Sequence, residues 1–177
     1  FMYQPQLEIE SGALHGVEAL IRWRHPERGL LTTETFMPTV NAEDDLAQRL
    51  AALVREQTAG FAVRWRAMAG TEPVSVNVPG RALDTRDLPE RIEARCYEAG
   101  IPYDALTVEI SEPEMAVDPM MVLDVATRLR LKRFGVCIDQ FGGGEFGMHS
   151  LQHAPVTAVK LAREFVQGCA TSPVKQG

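Results

Sequence analysis

Six side chains carry the chemistry this sequence could do: Glu18, Arg22, Asn77, Glu109, Asp139 and Lys160. Four of them interrupt apolar runs: Asn77 in S-V-N-V, Glu109 in L-T-V-E-I, Asp139 in V-C-I-D and Lys160 in V-K-L. One such residue can simply reach water at a strand end. Four, with Glu18 added, fit better with parallel strands whose C-terminal ends converge on one face, where barrel enzymes build their sites. Two glutamates, an aspartate and an asparagine oxygen are hard, all-oxygen donors, suited to Mg²⁺, Mn²⁺ or Ca²⁺ rather than zinc or copper. A cation facing the Arg22 guanidinium and the Lys160 ammonium suggests a phosphodiester whose charge the three share. The four histidines, His15, His25, His149 and His153, show no ligand spacing and read as surface or turn residues.

The elements that must position these groups follow from periodicity. Val17 to Arg24 alternates, so a strand would place Val17, Ala19, Ile21 and Trp23 on one face and Glu18, Leu20, Arg22 and Arg24 on the other. That strand alone does not separate a solvated face from one that holds a cation and a phosphate. Before it, Met2 to Ile9 reads as a strand joined by a Ser11-Gly12 turn, which makes an antiparallel hairpin. After the turn His25-Pro-Glu-Arg-Gly29, Thr33 is an N-cap for a short helix, and Asp44 or Asp45 for a long one running to about Met68. Its stripe of Leu46, Leu50, Leu53, Val54, Phe61 and Trp65 is assigned to the core.

From Val74 onward the chain alternates. Strands are expected at Val74 to Val78, Leu106 to Ile110, Val136 to Asp139 and Val156 to Leu161, and helices at Leu88 to Glu98, Met120 to Arg133 and from Arg163. Such units imply βα crossovers and a parallel sheet covered on both faces. Gly142 to Gly147 matches the dinucleotide pattern G-x-G-x-x-G. An aspartate ends the strand before it and no long helix follows, so a glycine-rich loop is the better reading.

With 177 residues, 45% hydrophobic and 24% charged, the chain suits one globular domain over residues 1–177. A net charge of −6 disfavours a nucleic acid polymer as partner. Three cysteines without metal spacing read as reduced thiols of a cytoplasmic domain, and no stretch suggests membrane contact. The start at Phe1, inside a strand-like run, suggests a piece of a longer protein.

As a set, the motifs resemble the EAL domain, the bacterial phosphodiesterase and receptor family for cyclic di-GMP (c-di-GMP). The resemblance runs from Tyr3-Gln4-Pro5 through Glu18-Ala-Leu-Ile-Arg22-Trp-Arg-His-Pro-Glu-Arg-Gly29, Ser75-Val-Asn77-Val and Val108-Glu109-Ile-Ser-Glu112. It continues to Asp139-Gln-Phe-Gly142, Pro155-Val156 and Val159-Lys160. It implies an α/β, TIM-barrel-like (β/α) fold with an antiparallel N-terminal strand. It also implies metal ligands at Glu18, Asn77, Glu109 and Asp139, and nucleotide contacts at Gln4, Leu20 and Arg22. Lys160 matches the lysine near the attacking water, which with Glu18 gives the catalytic pair, and Mg²⁺ or Mn²⁺ is the implied cofactor, with Ca²⁺ a non-catalytic substitute.

The sequence also departs from the family pattern. Two adjacent aspartates are replaced by Asp139-Gln140, the following loop is rebuilt from Gly143 to Met148, Ala162 stands where an aspartate is usual, and a later glutamate and glutamine have no counterpart. The departures favour a degenerate, non-hydrolysing c-di-GMP receptor; the alternatives are a protein-interaction domain that has lost nucleotide binding and an active phosphodiesterase completed by residues outside this chain. Because a (β/α)₈ barrel takes about 250 residues, an incomplete barrel is expected, open at an N-terminal strand and at Val156 to Leu161. Truncation is favoured over self-association as the explanation of the open edge, and a homodimer or other protein partner is expected alongside c-di-GMP.

Overall fold

The structure is a computed structural model that describes residues 2–83, 87–115, 118–143 and 148–172. In chain order the elements are β1 (Met2–Leu7), β2 (Leu14–Leu20), β3 (Arg22–His25), β4 (Gly29–Thr32), α1 (Thr33–Asn41) and α2 (Asp44–Ala67). Then come β5 (Val74–Asn77), α3 (Gly80–Leu83), α4 (Leu88–Glu98), β6 (Leu106–Ser111), α5 (Glu112–Met115) and α6 (Pro119–Leu131). The last are β7 (Gly135–Phe141), α7 (Met148–Leu151), β8 (Ala158–Leu161) and α8 (Arg163–Val166). One sheet runs in the order β1-β2-β5-β6-β7-β8, with β1 antiparallel to β2 and every later neighbour parallel. This is the expected α/β architecture, and β1 and β8 are the sheet's two edges.

The sheet is buried because its middle strands are almost wholly apolar. Val74, Val76, Leu106, Val108, Ile110, Val136 and Ile138 are each at most 1% exposed, the near-continuous pattern of a parallel sheet covered on both faces. The helices supply the cover by spacing. Leu88, Ile92 and Cys96 recur every fourth residue on α4, and Val122, Val125, Ala126 and Leu129 form the inward stripe of α6. At the start of α6, Pro119 sits in the first turn and the Asp118 side chain accepts from the Met121 N–H at 3.1 Å. Each such large apolar side chain is worth about 1.5–3 kcal/mol when fully buried. Phe61 and Val54 of α2 join this core and Leu50 and Trp65 pack against it, whereas Leu46 and Leu53, expected in the same stripe, stay outside it, Leu46 partly buried and Leu53 half exposed.

Three sequence expectations change. The long helix takes Glu43 as its N-cap, with Asp44 and Asp45 in its first turn rather than capping it. Val17 to Arg24 is not one strand: it breaks at Ile21, whose carbonyl accepts from Thr33 Oγ1 at 3.0 Å and from Arg22 Nη1 at 2.9 Å. Arg22 to His25 leaves the main sheet and pairs antiparallel with β4, and Trp23 packs edge-on to Phe36. Strict alternation continues straight through a one-residue corner, so periodicity could not show it. Glu18 and Arg22 therefore lie on different sheets. Thr33 likewise spends its hydroxyl on Ile21 rather than capping α1, whose N-cap is Thr32. Of the glycine-rich stretch, residues 144–147 lie outside the described residues, as do 173–177. Among the described residues no helix is long and apolar enough to cross a membrane.

Candidate functional site

The parallel register sets the polar strand-end residues side by side. Asn77 is the ladder partner of Glu109, Ser111 of Asp139, and Gln4 of Glu18 across the antiparallel pair. Asn77 Nδ2 donates to Glu18 Oε1 at 2.6 Å. From the far edge of the sheet, Lys160 Nζ donates to Glu18 Oε2 at 2.7 Å and to Glu109 Oε2 at 2.6 Å. Residues 142 positions apart in sequence are thus joined by one ammonium. The Glu109 side chain is 1% exposed, that of Glu18 17% and that of Lys160 26%, so the three sit at the inner end of an opening.

Burial is the main influence on Glu109 and pushes its carboxyl up to about 7, with Glu18 and Asp139 acting in the same direction and Lys160 opposing. For Lys160, burial disfavours the charged form. Its bonds and attraction to the two glutamates outweigh that, and its pKa lies above the usual lysine value. Asp139 holds its own neighbour, accepting the Gln140 N–H at 2.9 Å. Gln140 has φ 58°, in the left-handed region, where β7 slips register against β8. This local bulge turns the strand end.

The acids open onto a cleft of about 360 Å³. Glu18, Asn77, Glu109, Asp139 and Gln140 line its polar side, and Leu20, Ile21, Phe36, Met37 and Leu50 its apolar side. Leu20 is thus in the cleft wall. Arg22 and Gln4 are not; Arg22 is half-buried against Ile21 and Thr33, and Gln4 stands exposed beside Glu18. Sequence reasoning missed the contribution of α1, whose Thr33, Glu34 and Met37 line the cleft, and of Glu114. It gave no role to Glu112, which is 1% exposed and accepts the Gly142 N–H at 2.7 Å, fixing the chain just beyond Asp139. Gly142 has φ 94°, and a Cβ there would meet Phe165 Cε2 at 2.9 Å, so only glycine fits.

The donor set fits a hard divalent cation on one structural ground. Glu109 Oε1 is buried with no hydrogen-bond partner, an open acceptor among other oxygens. Among the described residues, however, no three acidic, histidine or cysteine side chains are gathered as a metal-holding group. Lys160 holds the position between Glu18 and Glu109. The buried thiols of Cys96 and Cys137 are pushed up by burial to about 11 and about 12 and belong to the core.

A curled α/β sheet with carboxylates, an amide and a lysine converging at its C-terminal strand ends defines a TIM-barrel-like protein with a polar cleft in the place where such folds bind and react. More specifically, this chain belongs to the EAL domain family, whose model matches residues 1–177. It is 33% identical over 176 residues to the cyclic di-GMP phosphodiesterase RocR of Pseudomonas aeruginosa, covering 97% of this chain and 43% of RocR. It is 30% identical over 171 residues to the oxygen sensor protein DosP of Escherichia coli, covering 96% of this chain and 21% of DosP. The chain therefore spans less than half the length of these curated relatives. Among solved structures, the PaMucR phosphodiesterase in complex with c-di-GMP superposes with a TM-score of 0.82 at 24% identity, covering 98% of this chain and 70% of that one. The FimX EAL domain of Pseudomonas aeruginosa bound to c-di-GMP gives 0.81 at 19% identity, covering 98% and 69%. At these identities the two likenesses establish the shared fold.

Proposed function

We propose that this chain is a c-di-GMP receptor module of a cytoplasmic signalling protein, binding the dinucleotide in the cleft without hydrolysing it. The relatives' names supply the ligand, and Gln140 carries the rest. A neutral amide in a strained backbone position borders the cleft beside Asp139, where a second carboxylate would be needed to hold two cations. A divalent ion depends on ligand charge, and Gln140 contributes none.

Glu18, Asn77, Glu109 and Asp139 would hold a single Mg²⁺ or Mn²⁺, or Ca²⁺ as a substitute. When bound, it supplies charge neutralisation of the phosphodiester and a lowered pKa for bound water. Lys160 bridges the two glutamates and offsets their charge. Leu20 gives the ligand an apolar wall, and Gln4 and Arg22 contact it from β1 and the β3 corner, Arg22 after turning from Ile21. A second reading, an active phosphodiesterase, is favoured by the 33% identity to a protein named for that activity. Calorimetry with c-di-GMP in Ca²⁺, then a product assay in Mn²⁺, separates the two. Saturable binding without linear product supports the receptor; turnover on the order of 1 per second, an ordinary enzyme rate, establishes the phosphodiesterase; and no binding rejects both.

A further inference from the structure

Five carboxylates line the cleft: Glu18, Glu34, Glu109, Glu114 and Asp139. A dianionic ligand cannot tolerate them idle, and four have work within the protein. Glu18 and Glu109 are bridged by Lys160, Asp139 accepts from Gln140, and Glu114 accepts from the Gly80 N–H and the Ser111 hydroxyl, both at 2.7 Å. Glu34 has no hydrogen bond or ion pair among the described residues. It stands exposed in the first turn of α1, flanked in the cleft wall by Thr33, Phe36 and Met37.

We infer that Glu34 selects the base of the bound dinucleotide, accepting the paired N–H donors of a guanine edge while the ring lies on the apolar wall of Phe36, Met37 and Leu50. This rests on the reading of the chain as a cyclic dinucleotide receptor and names its specificity. The chemistry is directional. Guanine presents a ring N–H and an exocyclic amine side by side, two donors that an ionised carboxylate accepts together. Adenine presents an amine beside a bare ring nitrogen, so one carboxylate oxygen would face a lone pair. An amide, with one donor and one acceptor, suits adenine instead.

The test is a titration of c-di-GMP and its bis-adenine analogue against the intact chain, Glu34→Ala and Glu34→Gln, with Ca²⁺ present throughout. The wild type is expected to prefer the guanine ligand by at least tenfold, since two hydrogen bonds to a charged acceptor are at stake. Glu34→Ala should lose that preference through weaker guanine binding, and Glu34→Gln should narrow or reverse it. Because the side chain is exposed, folding is expected to survive, and circular dichroism of each variant checks it. Undiminished discrimination in both folded variants overturns the role of Glu34 and leaves the receptor reading standing. Failure of the wild type to bind either ligand overturns both.

Discussion

Replacing Lys160 by alanine should destabilise the protein in a way that depends on pH, because the ammonium lies against one deeply buried carboxylate and one half-open one. In the wild type, Glu109 is lifted from about 4.5 to about 7 chiefly by burial. The folded state therefore holds a proton that the unfolded state has released across that window. Stability falls as pH rises through it, by about 3 kcal/mol at 1.36 kcal/mol per pKa unit, and Lys160 keeps the fall from being larger. At pH 5.5 Glu109 is mostly protonated with or without Lys160. The variant then loses mainly the partner of Glu18, worth about 1 kcal/mol. At pH 8.5 the wild-type carboxylate is ionised beside its ammonium. A unit pair near 4 Å is worth about 4 kcal/mol at an effective dielectric of 20, and solvent access to Lys160 cuts that to roughly half. The total loss should be about 3 kcal/mol, at the low end for breaking a buried pair. Urea unfolding of both proteins in chelator at the two pH values reads this directly. A loss that is equal at both, or larger in acid, refutes the assignment of Lys160 as the counter-ion of buried Glu109.

Arg22→Ala should weaken c-di-GMP binding more than tenfold in a titration, with little change in urea midpoint, because its protein partners are one carbonyl and one long hydroxyl contact. Unchanged affinity would show that β3 does not contact the ligand. Glu112→Ala should cost about 1–3 kcal/mol by leaving the Gly142 N–H without its buried acceptor, and should speed proteolysis just beyond β7; a variant as stable and as resistant as the parent contradicts that anchoring role. Gln140→Asn should raise the melting temperature slightly, by about 0.5–1 kcal/mol of stability, since asparagine tolerates positive φ better than glutamine. A lower melting temperature would mean that the glutamine side chain is held by contacts worth more than the strain.

The middle of the fold was legible because buried parallel strands and amphipathic helices each write a strong period into the sequence. Leu88 to Glu98 was delimited at both ends, and the strands around Val76, Val108 and Ile138 were each placed within two residues of their bounds. The corner at Ile21 was not legible, since a turn that preserves the apolar alternation leaves no mark; it became visible only through Thr33, twelve positions away. Within the candidate site, the strand-end residues announced themselves by interrupting apolar runs. Glu34 and Met37 did not, because a polar and an apolar residue in the first turns of a surface helix are ordinary, and only tertiary placement brings α1 over the ends of β2 and β5. Glu112 was quoted within a motif, yet its bond to Gly142 spans 30 positions that no local pattern connects.

The central claim, binding without cleavage, is tested most directly by following the phosphorus resonance of c-di-GMP mixed with this protein in Mg²⁺. Binding should shift or broaden the single phosphodiester signal in proportion to protein, and that signal should persist unchanged over a day at stoichiometric protein. A new phosphomonoester resonance growing in at the expense of the diester would show hydrolysis, and an unperturbed diester line would show that the cleft does not take the ligand; either contradicts the account.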